Sequence, residues 1–105
     1  MWPVSSLLNS GNENLSIDGF DDVFDASVNL WRGYCHTEYA MQYFNLMKLI
    51  VSSTVQYFDK KYANKSMAIQ YIAKAINKHN LNDKGEFLFS HSDDREIYKA
   101  ELQNI

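Results

Sequence analysis

Cysteine occurs once in these 105 residues, at Cys35, and proline once, at Pro3. A lone cysteine excludes an intramolecular disulfide, a dithiol redox pair and a multi-cysteine zinc site. Only two arginines are present, and no Lys or Arg precedes Arg32, so the start of the chain lacks the basic segment of a secretory signal. Long apolar runs are missing too. The richest, Leu46 to Val55, is interrupted by Lys48, Ser52, Ser53 and Thr54, which excludes a membrane-spanning helix of roughly 20 apolar residues. With four glycines and no glycine-rich loop, nothing suggests a phosphate cradle. Together these absences predict a cytoplasmic protein in a reducing setting that needs no cofactor.

What is present suits a single domain spanning 1–105. Apolar residues make up 46% and charged residues 22%, a globular balance. A chain of this length buries roughly 65% of the surface its unfolded form exposes, enough for a core without staples. Fifteen aromatic residues, seven of them tyrosine, serve cores and binding surfaces alike.

Hydrophobic spacing predicts an all-α fold, a small bundle of about four helices around one long central helix. Residues 1–17 read as an irregular N-terminal arm that Trp2, Leu7, Leu8, Leu15 and Ile17 would pin to the body. A first helix should open with Asp18 as N-cap and with Asp21 and Asp22 in its first turn, where the helix dipole favours negative charge. It carries Phe20, Val23, Phe24, Ser27, Leu30 and Trp31 at helical spacing, and Gly33 suits a C-terminal cap. A second helix, from Thr37 to about Tyr62, would be roughly 39 Å long at about 1.5 Å per residue. Ala40, Phe44, Met47, Val51, Val55, Phe58 and Tyr62 fall on one face, and Tyr39, Tyr43, Leu46, Ile50 and Tyr57 on a flanking stripe. An apolar arc this wide exceeds the roughly 100° of a simple surface helix, so it should be covered from two directions.

The third helix, Ser66 to His79, should turn Met67, Tyr71, Ile72, Ala75 and Ile76 inward. A loop follows from Asn80 to Lys84, with Gly85 at its tip. Phe87 and Phe89 alternate with Leu88 and suggest a short extended segment near residues 86–90. Asp93 and Glu96 resemble a capping box opening a last helix that carries Ile97, Tyr98, Leu102 and Ile105.

Candidate chemistry is sparse. Cys35 and His36 are adjacent, a poor spacing for two ligands on one metal, and no metal site is expected. Catalysis by the Cys35 thiol would need a base and an electropositive setting that the neighbouring residues do not supply. Residues 80–91 imitate a calcium loop only in outline, because Lys84 and His91 stand where carboxylates are required. The chain is therefore expected not to be an enzyme.

Charge is the informative feature. Residues 1–31 hold Glu13, Asp18, Asp21, Asp22 and Asp25 with no basic residue, a net −5; residues 59–84 hold six lysines against Asp59 and Asp83, a net +4. Such a pattern suits a protein-binding module, an inhibitor or immunity protein that neutralises a larger basic partner such as a bacterial toxin. Asp18, Asp21, Asp22 and Asp25 would make its polar contacts, and Tyr39, Leu46 and Tyr57 its apolar anchors, with Leu49 beside them. The alternative is a small nucleic-acid-associated regulator using Lys60, Lys61, Lys65, Lys74 and Lys78, against which stand the acidic balance and the scarcity of arginine.

Overall fold

The first helix begins earlier than Asp18. The computed structural model describes residues 13–104, and of residues 13–18 only the backbone. Trp2, Leu7, Leu8 and Ile105 lie outside the described residues. Within them the chain forms α1 (Glu13–Tyr34), α2 (Ala40–Tyr62), α3 (Lys65–Lys78), a 3-10 turn (Gly85–Leu88) and α4 (Ser92–Leu102), with no strand among the described residues. The fold is the expected all-α bundle. Residues 13–17, assigned above to an irregular arm, are its first helical turn, so Asp18 is not an N-cap and Asp21 and Asp22 lie about two turns inside the helix.

Gly33 does not end α1 either. It keeps helical backbone, and the chain turns after Tyr34 through Thr37. The Thr37 hydroxyl donates to the Tyr34 carbonyl at 2.6 Å and accepts from the Tyr39 N–H at 3.1 Å. One side chain thus satisfies an orphan carbonyl of α1 and an amide at the entry to α2, where the short polar side chains of turns compete best. At the far end of α2, Ala63 adopts a left-handed φ of 51° and Asn64 caps α3 by accepting from the Met67 N–H at 3.2 Å. Two helices are separated by two residues.

Helix α3 ends in a Schellman motif. The Leu81 N–H reaches the Ile76 carbonyl and the Asn80 N–H the Asn77 carbonyl, both at 3.0 Å. Asn80 takes the left-handed position (φ 58°), which asparagine tolerates better than most residues, and Leu81 is buried as the motif's hydrophobic contact.

Met47, Ile50, Val51, Thr54, Val55 and Phe58 of α2 form the floor of the core. Phe20, Phe24 and Val28 of α1 cover it from one side, and Ile69, Ile72 and Ile76 of α3 belong to the same cluster. The expected covering of α2 from more than one direction holds, and Ile50 of its flanking stripe is core. Thr54 is tolerated because its hydroxyl donates to the Ile50 carbonyl at 2.9 Å. Helix α3 is rotated from expectation: Met67 is exposed, whereas Ala68, Ile69 and Ala73 are buried. Leu30, expected inward, is also exposed.

The segment near 86–90 is a 3-10 turn followed by a single extended residue, Phe89. Leu88 and Phe89 both point inward and Phe87 outward, so the alternation does not become a strand. Helix α4 starts at Ser92 with His91 as N-cap and no side-chain cap; the expected capping box at Asp93 and Glu96 is not formed. Asp93 and Asp94 act instead by placing negative charge in the first turn. Asp94 is buried, with Lys65 Nζ 3.0 Å from its Oδ1. That ion pair holds α4 to the start of α3 and raises the Lys65 pKa through the carboxylate beside it.

Gly85, expected at the tip of a loop, is buried beneath Tyr98. A Cβ there would overlap the Tyr98 hydroxyl and lie 2.6 Å from its Cζ and 2.9 Å from an Ile76 methyl. Gly85→Ala should therefore destabilise the fold by about 2 kcal/mol, the usual cost of overpacking. Adding Tyr98→Phe should recover part of the loss by removing the closest atom, as a denaturant double-mutant cycle would show; strictly additive effects would deny the contact. The Tyr98 hydroxyl itself finds no hydrogen-bond partner among the described residues. Burial, with the Glu86 and Asp83 carboxylates, pushes its pKa from the usual 10 up to about 12. The folded value lies above the unfolded one, so this contribution is intact below pH 10 and lost as pH rises towards 12. Over that window the stability of the Tyr98→Phe chain should improve relative to the parent by about 1 kcal/mol per pH unit in urea titrations. A constant difference from pH 8 to pH 12 would refute it.

Candidate protein-interaction surface

The acidic residues of α1 do not form one outward patch. Asp21 accepts a hydrogen bond from the Tyr71 hydroxyl at 2.7 Å. Asp25 lies 2.5 Å from His79 Nε2, with Lys78 Nζ at 3.8 Å from its other oxygen. The Arg32 guanidinium donates to the His79 backbone carbonyl, and Phe24 meets the His79 ring edge-on. Asp21, Asp25 and Arg32 are four and seven residues apart, so they share the row of α1 that faces α3 and tie the two helices along their length. Asp22 alone of the described aspartate side chains in α1 is exposed; Asp18 is in the helix, with its side chain outside the description.

The lysine-rich segment is similarly engaged. Lys65 pairs with Asp94, Lys78 approaches Asp25, and Lys84 lies 3.0 Å from Asp83 and over the Trp31 ring. The Lys84 ammonium holds the Asp83 carboxyl below its ordinary value. Lys61 donates to the Tyr57 hydroxyl at 3.1 Å, which lifts its own pKa, and its ammonium lies near the Tyr57 and Tyr62 rings. Lys60 and Lys74 are exposed. Six lysines close in sequence are thus divided among α2, α3 and the loop that follows α3, and do not make one stripe.

Since Asp21 and Asp25 turn towards α3, and each residue advances about 100° around the helix, Leu30 and Tyr34 fall on the flank of α1 turned away from α3. On α2 the positions turned away from the core and α3 are Tyr39, Leu46 and Leu49. The two flanks meet at the turn. Tyr34 stacks on Tyr43 with ring centroids 4.9 Å apart and meets Tyr39 edge-on at 6.3 Å. Leu49 is 62% exposed, Tyr39 48%, and Leu30 and Tyr34 41% each, while Leu46 is half-buried against the core. Ala26, Gly33, Gln42 and Ser53 complete this open face, and none of its central positions is charged. A Cβ on Gly33 would meet nothing within 4 Å. Tyr57, anticipated as an anchor, is half-buried, its hydroxyl occupied by Lys61. Tyr34 could not be recognised from sequence, because its contacts depend on how the Thr37 turn folds back.

Hollows lie elsewhere among the described residues. A cleft of about 290 Å³ is lined by Val55, Gln56, Asp59, Lys65, His91, Asp93 and Asp94, and an apolar void of about 30 Å³ by Phe20, Thr54, Phe58, Met67, Ala68 and Tyr71. Among the described residues no three His, Cys, Asp or Glu side chains come together as a metal site would require. Cys35, half-buried, points its thiol at the Arg32 carbonyl 3.5 Å away. No helix among the described residues is long and apolar enough to cross a membrane. No protein-family model, no curated protein and no solved structure matches the chain.

The polar ties make a simple contrast. Asp25→Ala should cost about 1 kcal/mol in urea unfolding, since it removes the His79 partner at a partly solvated site. Asp22→Ala should change stability by less than about 0.5 kcal/mol. Equal effects would mean that Asp25 does not hold α3 to α1.

Proposed function

We propose that this chain is a non-enzymatic protein-binding module whose contact surface is the open face of the α1–α2 hairpin. The observation that carries the reading is the packed cluster of Tyr34, Tyr39 and Tyr43 at one end of a face that is apolar, exposed and uncharged at its centre. Interface cores are enriched in tyrosine and depleted of charge, and rings already stacked lose little freedom on docking. Leu46 and Leu49 extend the same surface along α2, so the anchors expected at Tyr39 and Leu46 belong to it.

The narrower reading, inhibition of a larger basic protein such as a toxin by an immunity-type module, keeps Asp22 at the border of this face. Asp21 and Asp25 are engaged with Tyr71 and His79, so net acidity would act on such a partner through long-range steering more than through direct pairs. The nucleic-acid reading draws least support, because Lys65, Lys78 and Lys84 are committed to carboxylates of the same chain.

A photo-crosslinking side chain installed at Leu49 should couple the protein to one partner in extract of its native host, and the product should vanish on Leu46→Arg. The same group at Gln70, exposed on α3, should give no such product. Equal coupling from both positions, or none from Leu49, removes the open face from the function.

A further inference from the structure

We infer that the occupant of the open face is a second copy of this chain, in an isologous dimer whose twofold axis runs along the α1–α2 hairpin. The inference rests on the binding reading above and names its partner. Charge is the first argument. The centre of the face carries none, so it can meet its own image with no like charges opposed except at the turn, where Glu38 is exposed beside Tyr39. At the end away from the turn, the exposed border of α1 presents Asp22, in the same helical row as Ala26 and Gly33. The exposed border of α2 presents Lys60, in the row of Leu49 and Ser53. An axis along the hairpin lays α1 of each copy across α2 of the other. Asp22 then lies on the side of the second copy's Lys60, and the symmetry repeats that pairing. A perpendicular axis in the same plane would set α1 against α1 and leave both charges without an opposite.

Shape is the second argument. At the turn the axis brings the Tyr34 and Tyr39 clusters of the two copies together, offering ring edges and faces to one another. Gly33 and Ala26 leave α1 low, which lets the exposed Leu49 of the other copy settle against it. The face is about 30 Å long and two helices wide, roughly 600 Å² on each copy. That is near the lower limit for a specific interface, so dissociation in the range of about 10 μM is expected.

Sedimentation equilibrium of the purified chain, from about 1 μM to about 300 μM, should follow a monomer–dimer equilibrium. Leu49→Arg should leave monomer throughout; the site is solvent-exposed, and unchanged circular dichroism and melting will show that the fold persists. Asp22→Lys and Lys60→Asp should each weaken the dimer about tenfold, because the axis places each change twice. The two together should restore affinity to within about threefold of the parent. Monomer at every concentration overturns the second copy as occupant, and a dimer indifferent to Leu49→Arg, or a charge swap without recovery, overturns the arrangement. A monomeric chain that still couples to a different protein from Leu49 would leave the binding reading standing. Failure of both would remove it as well.

Discussion

Helix α2 has more apolar surface than any one neighbour can cover, and the remaining elements are arranged around that constraint. Met47, Val51 and Val55 have a common row, Ile50 and Thr54 widen it on one side, and Phe58 carries it to the end of the helix. Covering such an arc with helices requires at least two, set side by side. α1 packs from one direction and α3 from another, both antiparallel to α2 because the connections are only a few residues long. The 3-10 turn and α4 then complete the enclosure, with Leu88, Phe89 and Tyr98 closing over the α3 side.

Packing antiparallel helices around one axis leaves their mutual rotation poorly determined by apolar contact alone, since hydrophobic burial is not directional. Polar ties supply the direction. Asp21 to Tyr71 and Asp25 to His79 fix how α1 is turned against α3, and Lys65 to Asp94 fixes where α4 begins. Asp21, Asp25 and His79 are only partly enclosed, so their net contribution to stability is small, whereas Asp94 is buried and depends on Lys65 as its partner; a wrong rotation would strand a carboxylate against an apolar neighbour. The same device explains why two acidic residues of α1 are unavailable as a simple outward patch.

Helix number, the length of α2 and most of its core face are legible in the sequence, because a 3.6-residue period repeated over several turns tolerates errors at the ends. The termini were less legible for physical reasons that differ case by case. Asp18 has the chemistry of an N-cap, yet the helical backbone continues past it to Glu13. Gly33 has the chemistry of a C-cap, yet helical backbone is open to glycine too, and Thr37 makes the turn. Gly85 lies where a loop was expected, but its function there is to leave room for Tyr98, a long-range contact that no local pattern encodes. Of the site, Tyr39, Leu46 and Leu49 are visible as a flank of α2, whereas Tyr34 becomes part of it only when the turn brings the two helices together.

That last point bears on why the open face exists at all. Once Asp21 and Asp25 direct one side of α1 towards α3, the opposite side must face solvent, whatever residues it carries. A surface under no further constraint would place charged residues there, as the outer positions of α3 do with Lys74 and Lys78. The open face instead keeps Leu30, Tyr34, Tyr39 and Leu49 exposed, while charge appears at its border, as Asp22 on α1, Lys60 on α2 and Glu38 at the turn. Apolar exposure is not confined to this face, since Met41, Met67 and Phe87 are exposed too, but here the exposed apolar residues are contiguous, which promotes association. The division of sign between the two borders then selects among the associations, because it is matched by the image of the same face turned about the hairpin axis. The ties that orient α1 inside the molecule therefore also determine what the molecule presents outside it.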